Sequence, residues 1–352
     1  MLIFTNRVIS SGATAESFGR AFTPGSKQLG VATIASSGSG WKLSAQNADV
    51  SDDVASKMLE KLFQGTKPVL LYVHGYNNSP AACFRRIHKL QELYPGAVVI
   101  GFSWPAEGFQ SDGLPLPALI SATTSTADEE DLSKIKPDNR TKGFIQNKIR
   151  QFHQAQTNGK DSVEAFARLL RLIAAVRLKT NNQPFSLAIH SLGTHLFQYS
   201  LQAEGATESA GAAYNVAFLA PCVRAAAHKE WVTLFRPKGR TYIAYNRGDT
   251  VLFGASIADG NQVKLGAEPG TDRVKSNGVR YISFSDAKLN GGGHGYFVSG
   301  VKGKSLELFS RIFTSQSDFE VNESPKVVYP IGCDVNGTTC YMAVPQDQIP
   351  QA

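Results

Sequence analysis

The chain has 352 residues, 42% hydrophobic and 18% charged, with 32 Gly and 16 Pro, which excludes collagen, a coiled coil and a wholly disordered chain. Its formal net charge of +7 suits anionic surfaces or substrates, but the basic residues are scattered without interleaved aromatics, which argues against a nucleic-acid partner. No apolar run approaches the roughly 18 residues that a membrane helix needs, and a chain of this length can bury a full core.

In chain order, residues 1–66 carry two strand-like pieces, 2–9 and 28–34, separated by Ser/Gly-rich turns. They are expected to extend a sheet as antiparallel edge strands. Residues 69–73, 97–102, 185–190, 215–219, 240–245 and 279–284 are short continuous apolar runs. Such runs are what a sheet covered on both faces requires. Helical patterns lie between them. Residues 80–93 follow Ser79, an N-cap with Pro80 in the first helical position. Residues 161–178 open with Asp161 and Glu164 as a capping-box-like pair and place Phe166, Leu169, Leu170, Ile173 and Val176 on one face. Alternation of this kind predicts an α/β fold with a mostly parallel, doubly wound sheet.

Two segments fall outside that rhythm. Residues 106–150 form a long connection, expected to be either a lid or an insertion in a domain spanning 1–314. Residues 315–352 read as a C-terminal tail with a hairpin at Asn336-Gly337, a type I′ turn signal. Of the four cysteines, Cys83 and Cys222 are isolated, while Cys333 and Cys340 flank that turn symmetrically. They would face each other at a hydrogen-bonded pair, where Cβ atoms lie further apart than a disulfide favours. Reduced thiols, and an N-terminus without a basic stretch followed by an apolar run, lead to the expectation of a cytoplasmic protein.

The sharpest chemistry lies at residues 185–195, where an apolar strand runs into His190-Ser191-Leu192-Gly193 and then a helical pattern. A serine on a tight strand-to-helix turn has its Oγ exposed, and the helix N-terminus adds the Leu192 amide as an oxyanion donor. Ile189 stands where the G-x-S-x-G pattern has its first glycine, and the plain alternative is a strand-to-helix cap by Ser191. A second strand, 69–73, ends in His74-Gly75-Tyr76, the position from which such an enzyme takes its other donor, the Tyr76 amide.

A serine needs a base and the base an orienting carboxylate, in the chain order serine, acid, histidine. Of the seven histidines only His228 and His294 follow Ser191 at a distance; His195, four residues on, should project away from Oγ. His228 sits in a helix-like stretch that suits a solvent-exposed or capping role. His294 follows three glycines after the strand at 279–284. Asp249, in the exit loop of strand 240–245, is the preferred acid; Asp286 is the runner-up, and Asp259 and Asp272 lie further from strand ends. Zinc, calcium, phosphate-loop and dinucleotide signatures do not occur, so no metal or cofactor is expected.

Thr5-Asn6-Arg7, His74-Gly75-Tyr76-Asn77, Ser103-Trp104-Pro105 and His190-Ser191-Leu192-Gly193 together resemble a family of bacterial α/β-hydrolases, mostly of unassigned function. The resemblance spans roughly residues 1–300 and implies the α/β-hydrolase fold with Ser191, Asp249 and His294 as a triad. Two features depart from the family: Ala220-Pro221-Cys222 stands where Ala-Pro-Asp is common, and 106–150 is longer than usual. The expected activity is hydrolysis of a carboxylic ester, a small-molecule or lipid substrate, through an acyl-enzyme. The alternatives are a binding protein that kept the fold without the chemistry, and a toxin-like lipase delivered to other cells.

Overall fold

The computed structural model describes residues 1–38, 40–116, 139–180, 183–271, 273–274, 276, 278–285, 291–318, 328–333 and 339–343. The chain opens with β1 (Leu2–Thr5), β2 (Arg7–Ile9), β3 (Phe18–Phe22), β4 (Gly30–Ser37), β5 (Gly40–Asn47) and α1 (Asp52–Phe63). The central part runs β6 (Val69–Val73), α2 (Pro80–Leu93), β7 (Val98–Ser103), α3 (Asn139–Asp161), α4 (Val163–Lys179), β8 (Phe185–His190), α5 (Gly193–Ser200) and α6 (Ala206–Gly211). It closes with β9 (Val216–Leu219), α7 (His228–Val232), β10 (Thr241–Tyr245), α8 (Thr250–Ala258), β11 (Val279–Ser283), α9 (Gly303–Phe313), β12 (Val328–Cys333) and β13 (Thr339–Ala343).

Among the described residues eleven strands form one sheet in the order β12-β13-β11-β10-β9-β8-β6-β7-β1-β4-β5. From β13 to β1 every neighbouring pair is parallel, and β12, β4 and β5 are antiparallel to their neighbours. With helices between its parallel strands, this is the α/β-hydrolase fold. The apolar runs behave as a doubly covered sheet demands: β6 and β8 are buried at every residue. Local signals work where they are present. Ser79 Oγ accepts the Ala82 amide at the start of α2, and Ser51 Oγ accepts the Val54 amide at the start of α1.

Several expectations change. The stretch 2–9 is two strands: β1 lies inside the sheet, parallel to β7, while β2 pairs with β3 in a separate ribbon. Thr5 and Arg7 explain the break. Thr5 Oγ1 donates to Ser103 O at 2.5 Å and accepts the Arg7 amide at 3.0 Å, which turns the chain out of the ladder. The antiparallel edge is β4 with β5, and β5 has no counterpart among the predicted strands because nearly all its residues face solvent. Within 106–150, residues 139–150 begin the long helix α3, and 117–138 lie outside the described residues. Helix α4 starts two residues later than its sequence suggests, with Ser162, not Asp161, before its first turn. Ser162 Oγ is occupied instead, donating to Asn158 O and accepting from Asn6 Nδ2.

The hairpin β12–β13 joins the sheet beside β11. Its ladder shifts register between Pro330 and Cys333, so Cys333 stands opposite Thr339 and not Cys340. The turn itself lies outside the described residues, as do Asp272 and Asp286. Among the described residues no helix is long and apolar enough to cross a membrane.

Candidate active site

The strand order reverses at β6. From there the chain crosses through α2 to β7 on one side, then returns through α3 and α4 to β8 on the other. In an open α/β sheet the crevice beyond the carboxyl ends of such strands is where ligands bind. The residues that leave β6 and β8 at this point are His74-Gly75-Tyr76 and Ser191-Leu192-Gly193.

Ser191 has a φ of +51°, a left-handed conformation costly for a side-chain-bearing residue, at the corner between β8 and α5. Its backbone is held on both sides: the amide donates to Leu219 O at 2.9 Å, and the carbonyl accepts the Cys222 amide at 3.1 Å and the Thr194 amide at 3.0 Å. Two glycines permit the corner. A methyl group on Gly75 would lie 2.6 Å from Ser191 Cβ and 3.2 Å from Oγ; one on Gly193 would lie 2.6 Å from His74 O. The crowding that a G-x-S-x-G motif relieves before the serine is relieved here from β6. Ile189 is absorbed in the core, fully buried.

The first loop is rigidly supported. Trp104 N–H donates to His74 Nε2 at 3.1 Å, so Nδ1 carries the proton and donates to Gly75 O at 2.9 Å. Trp104 Nε1 donates back to His74 O at 2.9 Å, and the two rings stack at 5.6 Å. Burial pushes the His74 pKa down to about 3, so the ring is neutral. Below it Arg7, fully buried, grips Glu107 with two hydrogen bonds and also donates to Trp104 O at 2.6 Å and Asn78 O at 3.3 Å. Three of the sequence motifs are therefore one interlocked support for residues 75–78. No acceptor among the described residues takes the amides of Tyr76 or Leu192.

His294 and Asp249 meet: His294 Nδ1 and Asp249 Oδ2 are 2.6 Å apart, both side chains nearly inaccessible to solvent. The other carboxylate oxygen caps α8, accepting the Leu252 amide at 2.9 Å. One aspartate thus ties the imidazole to a helix N-terminus. The glycines before His294 do not swing freely. Asn246 Nδ2 donates to Gly293 O at 3.0 Å, while Asn246 Oδ1 accepts the Gly248 amide at 2.9 Å. Tyr296 donates to Ala244 O and accepts the Ala220 amide, joining β9 and β10 beneath the site.

His190, the residue before Ser191, brings the two halves together: its ring centroid is 4.7 Å from that of His294 and 5.0 Å from Phe297. Burial, then the neighbouring His294, holds its pKa well below the ordinary value. His195 lies along α5 beside Tyr199, with a pKa lowered to about 4 by burial and the Lys264 charge. His228 differs from its expected exposed or capping role. It is fully buried, with Nδ1 at 2.6 Å from Ala225 O and Nε2 at 2.7 Å from the Tyr281 hydroxyl, its ring packed edge-on against Tyr281 of β11. Asp259 is also elsewhere, paired with buried Lys264 at 2.7 Å.

Ser191 opens into a cavity of about 250 Å³ between α3 and α8. Ile145, Ile149 and Phe152 line one side and Val251, Ala255 and Ile257 the other. Cys222 also reaches it; burial pushes its pKa up to about 12, so it is a neutral thiol. The sequence gives no site role to Asn246, the Arg7–Glu107 pair or the α3 wall, and it offers His190 and Arg7 only as members of their motifs. Only the α3 wall has a pattern to find it, Ile145, Ile149 and Phe152 at helical spacing.

Among the described residues no group of three or more His, Cys, Asp or Glu is arranged to hold a metal ion. Comparison with curated proteins and with solved structures finds no match. A family model described as alpha/beta hydrolase of unknown function (DUF900) matches residues 50–302, well over half of the chain, and the protein belongs to that family.

Proposed function

We propose that the protein is a serine hydrolase that cleaves carboxylic esters through an acyl-enzyme on Ser191. The observation that carries this reading is Ser191 in left-handed backbone at the strand switch, one residue from a histidine packed on the Asp249–His294 pair. Backbone strain of this kind persists where the surrounding structure enforces it, and here it is braced by three hydrogen bonds and two close-approach glycines.

In this mechanism Ser191 Oγ attacks the ester carbonyl carbon while His294 Nε2 takes its proton. The oxygen that becomes negative accepts hydrogen bonds from the Tyr76 and Leu192 amides. Collapse of the tetrahedral intermediate breaks the bond to the alcohol oxygen, which leaves with the proton from the imidazolium. Water then adds to the acyl-enzyme with the same base, releasing the carboxylic acid and returning the proton to Oγ. Asp249 holds Nδ1–H and stabilises the imidazolium. His190, kept neutral by burial, adds no second positive charge beside it. Cys222, kept protonated, does not compete as a nucleophile.

The test is intact mass after exposure to a small fluorophosphonate, with a Ser191→Ala variant alongside. One adduct per chain, lost in the variant together with several orders of magnitude in kcat on a nitrophenyl ester, is the expected result. A folded wild-type protein that stays unlabelled would overturn the reading.

A further inference from the structure

We infer that the substrate's acyl part is an aliphatic chain of roughly eight to ten carbons, bound in the cavity between α3 and α8 that begins at Ser191; this rests on Ser191 being the nucleophile. The length follows from volume. An apolar cavity of about 150 Å³ takes up benzene, about 25 Å³ per carbon, so a cavity of about 250 Å³ corresponds to roughly ten carbons.

The width follows from the residues. On α8 the lining positions Gly254, Ala255 and Ala258 are small, leaving room for a chain beside the branched Ile145 and Ile149 of α3. Phe152 is a fixed wall, 4% exposed and held edge-on by the Tyr76 ring at 5.6 Å. Among the described residues Lys148 is the one charged member of the lining, so these walls offer a hydrocarbon chain burial and little else. The outer end is marked by Ile257, 49% exposed, and Ile145, 37% exposed. A chain longer than the cavity would emerge there into water.

Assigning this cavity to the acyl half and not the alcohol half follows from the order of the steps. The alcohol must depart before water can reach the ester carbonyl, so its side must open to solvent. The acyl group stays bonded to Ser191 through both steps and gains most from an apolar sleeve.

The experiment compares two ester series with the wild-type enzyme, below micelle-forming concentrations. One holds p-nitrophenol constant and lengthens the acyl chain from two to fourteen carbons. The other holds acetate constant and lengthens the alcohol. We expect kcat/KM to rise by roughly threefold to fourfold per methylene in the first series, peak at eight to ten carbons and then fall or level off. The second series should stay nearly flat. Ala255→Leu from one wall and Ile149→Phe from the other should each lower the ratio of ten-carbon to two-carbon kcat/KM by about tenfold or more.

An acyl series that is flat or falls beyond four carbons, a rise that follows the alcohol instead, or filling variants that leave the ratio unchanged would each overturn the proposal. Labelling of Ser191 by a small fluorophosphonate separates the two levels. A labelled enzyme with a flat acyl series loses only the chain assignment, and an unlabelled one loses the nucleophile on which it rests.

Discussion

Acidification from pH 7 to 5 should strip stability from this fold through imidazoles that have no room for a proton. His74 is fully buried, its Nε2 already accepting the Trp104 amide, and its pKa is lowered to about 3 by burial. His195 is lowered to about 4 by burial and by Lys264, and His190 lies well below the ordinary value. In the unfolded chain each reverts to about 6.5. Because the folded values are the lower ones, the unfolded state takes up the protons first. Stability is therefore full above about pH 6.5 and falls as pH drops towards 4, where His195 titrates within the fold. One histidine contributes a slope of about 1.4 kcal/mol per pH unit, so His74 and His195 together give about 3 kcal/mol per pH unit, and His190 acts in the same direction. Between pH 6 and 4.5 the two amount to about 4 kcal/mol, a large share of the 5–15 kcal/mol that holds an ordinary domain. Urea unfolding followed by tryptophan fluorescence at fixed ionic strength, at half-unit steps from pH 7.5 to 5, measures the slope directly. His195→Gln should remove close to one proton equivalent from it. A wild-type slope below one proton equivalent between pH 6 and 5, or a His195→Gln slope equal to the wild-type one, would refute the reasoning.

Asp249→Asn should lower kcat by about 10⁴ while leaving the melting temperature almost unchanged, because asparagine still caps α8 at Leu252 but holds the wrong imidazole tautomer. Asp249→Ala should cost about 1 kcal/mol of stability as well, measured by urea unfolding. Gly75→Ala should abolish most fluorophosphonate labelling in a folded protein, since the new methyl lies 2.6 Å from Ser191 Cβ. Arg7→Met strands the buried Glu107 carboxylate and should cost about 3–5 kcal/mol, whereas changing Arg7 and Glu107 together to methionine should recover most of that loss in a thermal melt.

The centre of the parallel sheet was legible because β6 and β8 are buried at every residue and so spell continuous apolar runs, 69–73 and 185–190. The strand β5 was not, because Gly40–Asn47 is exposed at almost every position and only Leu43 is buried. Helix α1 was missed although Ala55, Leu59 and Phe63 recur every four residues; its remaining positions are polar and three buried side chains are a thin signal. At the candidate site, Ser191 and His294 stand out as candidates from strand–turn–helix and strand–loop context, which is local chain geometry. Asn246 does not. Its role is to join two loops 47 residues apart in sequence, and only the folded sheet brings Gly293 within reach of its amide. Arg7 presents the same difficulty. Nothing near residue 7 announces that its partner is Glu107, yet the pair supports the loop from which Tyr76 extends. His228 shows the converse, a helical stretch of alanines and charged residues that reads as surface but turns its histidine onto Tyr281.

The placement of β1 has a consequence for how this molecule is assembled. Among the described residues the antiparallel pair β4–β5 joins the parallel sheet through the β1–β4 ladder, and the other edge of β1 is β7. In synthesis residues 2–5 come before their parallel neighbour, 98–103, and the Arg7 clasp waits for Glu107. Until 98–103 have been made, β4 is the one described ladder partner open to β1, as part of a small meander. The seam between that meander and the rest of the sheet is a natural place to divide the protein. A peptide covering residues 1–50 and a second chain beginning before α1 should associate through the β1–β7 ladder, making the molecule a candidate for fragment complementation with hydrolysis as the readout of reassembly.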